Sequence, residues 1–338
     1  MMKLEEAKVA FLKEVEEVSQ MQMEKLQQYM GKHYNDLKQQ FMSCFDIYCQ
    51  KIIKMQESVN KNPLSYIQFS MMRTKLIEGI YEFRIDAYDQ ELYLDSQPCV
   101  GIYDVTPIFA FLEKFSDLLT DRRRKYVYKI TLGEVKQFVL EESEKYKSVV
   151  VKFIRSILPY AAKSPTYEGI MRSDLFMISV GEFRDMGELV YKEDRTIKDA
   201  EKVRYQLEKH KEKGHNHEVF ENLDLSGGDF AQARWFYCSG SESQFTNVSF
   251  ENSALLFCPF QNATFNQATF VGSNLLGINF AGATFVDVKL KGARLIQVNF
   301  ENARLENIDF TEAEQIVGLN LTNATLINVK LPEKVGVE

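Results

Sequence analysis

The chain has 338 residues, of which 45% are hydrophobic and 26% charged, a composition typical of a folded protein with room for two domains. The net charge of −7 falls entirely on residues 216–338, where 14 Asp and Glu stand against 7 Lys and Arg, so that part is not expected to bind nucleic acid directly. No apolar run reaches membrane-spanning length, and the charged start MMKLEEAKVAFLKEVEEV argues against a secretory signal.

The first predicted element is a long helix. Between residues 3 and 58, apolar residues recur at three- and four-residue spacing, as on the buried face of a helix. The pattern allows a helix bent near Gly31 or a split into an antiparallel pair. Asn62-Pro63 ends the element, and a second helix is predicted over Leu64–Ile80.

A small sheet near residues 81–95 is predicted next. Tyr81–Ala87 and Glu91–Asp95 alternate between polar and apolar residues, like two short strands. The Tyr, Asp and Glu residues clustered there could line the pocket of an enzyme or a small-molecule binder. A half-buried hairpin gives the same pattern and is the simpler interpretation.

The rest of the N-terminal half is predicted to be mainly helical. Pro159 marks a helix end, and Gly214 is placed as a C-terminal stop. Residues 1–214 are therefore expected to form a mainly α-helical domain with a small sheet. The predicted elements are helices over Pro107–Leu119 and Lys125–Leu158, a strand over Phe176–Phe183 and a charged helix over Arg195–Lys213.

Catalytic and ligand-binding motifs are absent from the sequence. It contains no GxxxxGK[ST], GxSxG or HExxH motif and no Cys/His set with metal-ligand spacing, so no catalytic residue, cofactor or metal is predicted. The pair His215-Asn-His217 would need two more ligands to hold a metal. The basic run Asp121–Lys125 could receive an acidic partner or the acidic C-terminal part, although a solvated helix face is the simpler interpretation.

From residue 220 to residue 310, every fifth residue is large and apolar, except Gly240. Neither an α-helix nor a flat strand has a period of five, so the pattern predicts a solenoid, in which each turn of chain rests on the last. The residue two before each large one is small or medium and uncharged. After Phe310 the series slips by one residue to Ile316, which places one extra residue near Glu312–Gln315.

Segments such as Ala263-Thr-Phe-Asn-Gln, Ala283-Thr-Phe-Val-Asp and Ala293-Arg-Leu-Ile-Gln resemble the pentapeptide-repeat family, over about residues 218–331. The resemblance implies a right-handed quadrilateral β-helix with twenty residues per coil. In such a helix the large residue and the small one two before it point inward. The fold class expected is therefore multidomain α + β, with a helical domain over 1–214 followed by a β-helix of about six coils over 215–338.

Stacked aromatic side chains are expected to fill this tube. Gly240 would leave a gap in one column, so a bulge or kink is expected there. The helix over Arg195–Lys213 is the expected N-terminal cap, and Cys238 and Cys258, twenty residues apart, are expected to be packed thiols. The predicted core columns contain Phe245, Phe250, Phe260, Phe265, Phe270, Phe280, Phe285, Phe300 and Phe310.

One side of the predicted tube carries a continuous apolar stripe. On three sides the residue after the large one is mostly polar, whereas on the fourth it is apolar in every coil. Monomers rarely expose such a surface, so the chain's own N-terminal domain, a second copy or a foreign protein is expected to cover it. We call this surface the outer stripe; it consists of Phe236, Tyr237, Leu256, Phe257, Leu276, Ile296 and Val317.

These features predict a non-enzymatic protein-protein interaction or scaffold protein that acts through the outer stripe. The alternative from the resemblance is a DNA-mimicking inhibitor of an enzyme such as gyrase. A rod of about six coils, scattered acidic residues and the lack of a C-terminal dimerisation helix weaken that alternative. Five cysteines without a CxxC pair predict free thiols and a cytoplasmic location.

Overall fold

The computed structural model of the protein describes residues 3–59, 61–127, 129–185 and 187–333. The chain forms two compact units, Met1–Glu193 and Asp194–Glu338. The division lies before the expected boundary at residue 214, because the helix that precedes the solenoid packs Leu207 into the same apolar core as Phe220.

The first unit begins with two long helices. Helix α1 (Leu4–Lys32) and helix α2 (Tyr34–Val59) meet at His33, two residues beyond Gly31, where a bend was one of the two expectations. Further helices of this unit are α3 (Arg73–Ile77), α4 (Thr106–Arg122), α5 (Leu132–Ala161) and α6 (Pro165–Glu168).

Helix α5 starts at a capping box, in which Thr131 and Glu134 each accept the other's backbone N–H. The prediction that Pro159 ends this helix is wrong, since the helix runs on to Ala161. A proline removes one backbone donor, and so close to the helix end that loss affects a single turn.

A mixed sheet forms the other layer of the first unit, with the strand order β3-β2-β1-β4-β5. Strand β1 pairs antiparallel with β2 and parallel with β4, and β2 pairs antiparallel with β3. Helix α2 packs on this sheet through Phe41 and Phe45, whose rings lie 5.9 and 6.4 Å from the ring of Phe69. The strands are β1 (Leu64–Met71), β2 (Glu82–Tyr88), β3 (Cys99–Asp104), β4 (Arg172–Glu182) and β5 (Glu188–Asp194).

Two predictions for this region are wrong. The helix expected over Leu64–Ile80 is strand β1 followed by the short helix α3. Strand β1 is buried on both faces, so its sequence lacks the alternation of a half-exposed strand. The strand expected over Glu91–Asp95 is a turn with a short 3₁₀ helix, because the Asp95 carboxylate accepts the backbone N–H of Asp89 and of Gln97.

The second unit begins with helix α7 (Ala200–Lys209), whose N-cap Asp199 accepts the backbone N–H groups of Glu201 and Lys202. A β-solenoid of about six turns follows. Its strands stack in parallel in two sheets, in the orders β16-β14-β12-β10-β8 and β15-β13-β11-β9-β7-β6. They are β6 (His215–Asn216), β7 (Arg234–Phe236), β8 (Gln244–Thr246), β9 (Ala254–Leu256), β10 (Thr264–Asn266), β11 (Asn274–Leu276), β12 (Thr284–Val286), β13 (Arg294–Ile296), β14 (Arg304–Asp309), β15 (Gln315–Val317) and β16 (Thr325–Lys330).

The twenty-residue register of the solenoid is regular. Phe265 pairs with Phe245 in one coil and with Phe285 in the next, and the ring centroids lie 4.8 and 4.7 Å apart. Every phenylalanine predicted for the core columns is at most 1% exposed. After the slip, Leu295 pairs with Ile316, so the extra residue leaves the stack in register.

The bulge expected at Gly240 does not form. The Gly240 N–H donates to the Pro259 carbonyl, and the Phe220 N–H donates to the Ser239 carbonyl, in the same pattern as in other coils. A Cβ on Gly240 would lie 2.6 Å from the ring of Phe220 and 2.7 Å from that of Phe260. The two rings thus close over the glycine, and the space that a larger side chain would need is already filled.

Candidate interaction surface

One wall of the solenoid carries the outer stripe. Its strands β7, β9, β11 and β13 each place one buried residue inward, and these are Trp235, Leu255, Leu275 and Leu295. The residue after each of them faces outward and is half-buried by its neighbours. The inward and outward assignment predicted for this wall is therefore what the structure shows.

The stripe is continuous along the solenoid axis. Phe236 pairs with Leu256, Leu256 with Leu276, Leu276 with Ile296 and Ile296 with Val317 in successive coils. Parallel strands lie about 4.8 Å apart, so five stacked side chains form a row about 19 Å long. The exposed fraction rises to 50% at Val317.

The corner beside the stripe is aromatic in its first coils. Tyr237 and Phe257 have φ values of +57° and +55°, in the left-handed region that large side chains rarely adopt. Most other corners of the solenoid with positive φ carry Asn or Gly, which tolerate this region better. Backbone strain of this kind persists where the surroundings enforce it, and it is often associated with functional surfaces.

The aromatic corner includes His217, which sequence analysis considered only as a possible metal ligand. His217 stacks on Tyr237 with a centroid distance of 5.1 Å, and Tyr237 stacks on Phe257 at 5.4 Å, with interplanar angles of 13° and 11°. The sequence signal for this stacking is that His217 stands twenty residues, or one coil, before Tyr237. The ladder ends on Gly277, where a Cβ would lie 2.5 Å from the Phe257 ring.

Two arginines lie on the same wall, and sequence analysis also missed them. Arg234 and Arg294 are exposed and precede the inward residues Trp235 and Leu295. The Arg294 guanidinium donates two hydrogen bonds to Gln315 Oε1, at 3.0 and 2.8 Å. No ion pair of either arginine occurs among the described residues.

The other candidate sites have local structural partners. In the basic run Asp121–Lys125, Arg122 pairs with Glu17 at 3.1 Å, and Lys125 lies 3.7 Å from Glu14, so helix α1 supplies carboxylates to it. Within the part of the chain that the structure describes, no cluster of His, Cys, Asp and Glu could hold a metal ion. His215 packs near α7, where burial lowers its pKa.

The Tyr, Asp and Glu residues near 81–95 lie in strand β2, directly before it or in the turn that follows it. Asp86 is fully buried and paired with Arg84 at 2.8 Å. Burial raises the pKa of Tyr88 to about 12, so this phenol stays protonated at neutral pH. Tyr81 stacks on Phe109 of helix α4. These contacts show that the clustered Tyr and Asp side chains take part in the packing of the first unit.

Among the helices of the described residues, none combines the length and the apolarity needed to cross a membrane. Residues 243–321 match the family model of the pentapeptide repeat region, whereas no family model matches the N-terminal half. No protein with a curated description matches the chain.

Several solved structures resemble part of the chain. A pentapeptide repeat protein from the Arabidopsis thaliana thylakoid lumen is 23% identical over 33% of this chain and 70% of its own, with a TM-score of 0.16. HetL from the cyanobacterium Nostoc sp. strain PCC 7120, described as involved in heterocyst differentiation regulation, is 13% identical over 41% of this chain and 94% of its own, with a TM-score of 0.19. QnrB1, a plasmid-mediated fluoroquinolone resistance protein, is 14% identical over 33% of this chain and 71% of its own, with a TM-score of 0.18.

Residues 243–321 thus match a pentapeptide repeat region, within a β-solenoid of about six turns that follows a helical region without a family match. The register, inward columns and corner residues of the solenoid all follow the five-residue unit.

Proposed function

We propose that this chain is a non-enzymatic interaction protein that binds a partner protein through the outer stripe. The observation that carries the proposal is the unbroken row of five apolar side chains in hydrogen-bonded register on one wall. Polar residues predominate at the equivalent positions of the other walls, so the row is not a requirement of the fold.

Rigidity supports this role. The stripe is held by backbone hydrogen bonds between coils and by buried apolar side chains directly behind it, so binding would order few side chains. The aromatic corner extends the surface with Tyr237 and the 43% exposed Phe257. Large, rigid aromatic side chains are typical anchors of protein interfaces.

The test is affinity capture from the native cell with the full chain and with the variant Leu276→Asp plus Ile296→Asp. Both side chains face outward, so the variant is expected to keep the wild-type circular dichroism spectrum and to lose the captured partner. Loss of the spectrum would instead place these residues in the core. Size-exclusion chromatography of the same pair distinguishes a partner protein from a second copy.

A matched control uses the same chemistry on other walls. Val271 and Val286 are also outward and half-buried, but each is an isolated apolar position. Val271→Asp plus Val286→Asp is expected to retain the partner. If both double variants capture the same proteins as the wild type, the outer stripe is not the binding surface.

The proposal includes a reducing compartment such as the cytoplasm. Its support is that all five cysteines are free, including Cys238 and Cys258 in adjacent coils. Mimicry of duplex DNA has less support, since acidic residues such as Asp229, Glu306 and Asp309 pair with cations of this chain.

A further inference from the structure

We infer that the partner segment received by the outer stripe is an acidic amphipathic α-helix lying parallel to the solenoid axis. This inference rests on the proposed function and specifies the chemistry of the partner. It depends on two independent features of the wall, which are its charge and the spacing of its apolar row.

The charge of this wall is opposite to that of the solenoid. In the first four coils the outward positions of this wall contain Arg234 and Arg294 as their charged residues and no carboxylate, and in the fifth coil the exposed Glu314 precedes Gln315. Each of the other three walls carries carboxylates at such positions, for example Glu221, Asp287 and Glu251. A positive wall on a part of the chain with a net charge of −7 would attract an acidic surface and repel a basic one.

In the part of the chain that the structure describes, neither arginine has a carboxylate partner, and Arg294 donates only to the neutral Gln315 side chain. Arg234 and Arg294 are exposed and form no ion pair with the described residues, whereas Lys211, Arg304 and Lys330 elsewhere on this unit each pair with a carboxylate. The two arginines are three coils apart, which is about 14 Å, and both precede the stripe in their strands. Two carboxylates along one edge of an apolar segment would therefore face them.

The spacing of the row favours a helix over an extended strand. Stripe side chains repeat about every 4.8 Å, whereas an α-helix presents one face about every 5.4 Å and a strand about every 6.6 Å. Over four intervals the helix drifts from the row by about 2.4 Å and the strand by about 7 Å, more than one coil. A helix of about 13 residues covers the 19 Å row.

The experiment titrates the full chain with two fluorescent synthetic peptides of about 14 residues, measured by anisotropy at low ionic strength. Both peptides carry leucines on one helical face. One is flanked by glutamates, and the other has lysine in place of each glutamate. The wild-type chain is expected to bind the glutamate peptide about tenfold more tightly, and added salt should reduce the difference.

Charge reversal tests whether the arginines cause the preference. The double variant Arg234→Glu plus Arg294→Glu is expected to reverse the preference, so that the lysine peptide binds more tightly than the glutamate peptide. Lys289→Glu plus Lys291→Glu changes the net charge equally on the neighbouring wall and is expected to keep the wild-type order. The double variant Leu276→Asp plus Ile296→Asp is expected to lower the affinity for both peptides at least tenfold.

Three results would overturn the inference that the partner segment is an acidic helix. They are equal affinity for the two peptides, binding of neither peptide, and a preference that survives charge reversal of the arginines. The proposed function would stand in those cases if the stripe variant still lost its native partner. If the stripe variant kept its native partner, the proposed function would fail, whatever the peptides did.

Discussion

Phe265 shows how much a single side chain contributes to the solenoid. It is fully buried, and its ring stacks between Phe245 and Phe285. Phe265→Ala is expected to lower the free energy of unfolding by ~3–5 kcal/mol, because the rigid coils above and below cannot collapse into the cavity. Urea unfolding followed by the fluorescence of Trp235, the sole tryptophan, measures this loss.

Thr264→Ala is the control for that variant, since Thr264 is the outward neighbour and its loss should cost less than about 0.5 kcal/mol. Equal effects of the two changes would mean that the inward columns do not dominate the stability of the solenoid.

A substitution at Gly240 tests the effect of overfilling the core, whereas Phe265→Ala tests the effect of a cavity. Because a Cβ there would overlap the rings of Phe220 and Phe260, Gly240→Ala is expected to destabilise the second unit by about 1–3 kcal/mol. Gln261→Ala, on the outside of the same wall, should have little effect in the same urea titration. A stabilised Gly240→Ala variant would show that the column holds the empty space that the sequence first indicated.

These two positions also show what sequence can predict at this scale. The period of five places Phe265 inside without any structure. It cannot say how the neighbours of Gly240 respond, because that depends on ring rotations of residues twenty positions away. His217 was missed for a related reason, since its stacking on Tyr237 follows from the coil register and not from its neighbours in sequence.

At the scale of elements, helix α7 and Lys211, two residues beyond its end, cover the first coil through specific contacts. Lys211 Nζ lies 2.9 Å from Asp229 Oδ2, and Arg204 Nη1 donates to the Ser226 carbonyl at 2.7 Å. The backbone N–H of Asp229 donates to Glu208 Oε1 at 3.0 Å. Together with buried Leu207, these contacts close the edge that the first coil would otherwise expose.

Acid is expected to loosen this helix before the rest of the solenoid. The Lys211 ammonium lowers the pKa of Asp229, and backbone N–H groups at the N-cap lower that of Asp199. A carboxylate whose pKa is lower in the folded state stabilises it above the unfolded pKa and loses that effect as pH falls through the folded pKa. The hydrogen-exchange protection factors of residues 200–209, which compare the measured rate with the intrinsic rate at the same pH, should therefore fall between about pH 5 and pH 3.

Asp199→Asn plus Asp229→Asn is the comparison for the acid experiment. The double variant should exchange faster at neutral pH and show little further change on acidification. A fall in protection as steep as in the wild type would mean that other groups control the attachment of α7.

The same scale shows where sequence reasoning about elements failed. The solenoid was predictable because its period matches no other structure, and α4 because its apolar face is regular. Strand β1 was not predictable, because a strand buried on both faces has the same apolar content as a buried helix. Strand β5 was missed because its partly buried residues follow neither pattern strongly.

At the scale of the whole molecule, the cysteines report on each unit separately. Cys44, Cys49 and Cys99 lie in the first unit, and Cys238 and Cys258 lie in the second. Cys44 is half-buried, whereas burial raises the pKa of Cys49 to about 12. Thiolate formation limits alkylation, so Cys44 is expected to react first in the native protein.

Phe265→Ala should accelerate alkylation of Cys238 and Cys258 and leave Cys49 and Cys99 unchanged, as measured by mass spectrometry of labelled peptides. Phe41→Ala, in the aromatic core of the first unit, should do the reverse. Parallel acceleration of all four thiols by either variant would show that the two units open as one.

The extra residue in the last coil has a practical consequence. The pairs Leu295–Ile316 and Leu305–Leu326 both span it and stay in register, so lengthening the chain at this corner leaves adjacent coils aligned. A short biotin-acceptor tag inserted between Glu312 and Ala313 should be tolerated for the same reason. Placed near the Val317 end of the wall, it offers a point of attachment from which proximity labelling can report what docks there in living cells.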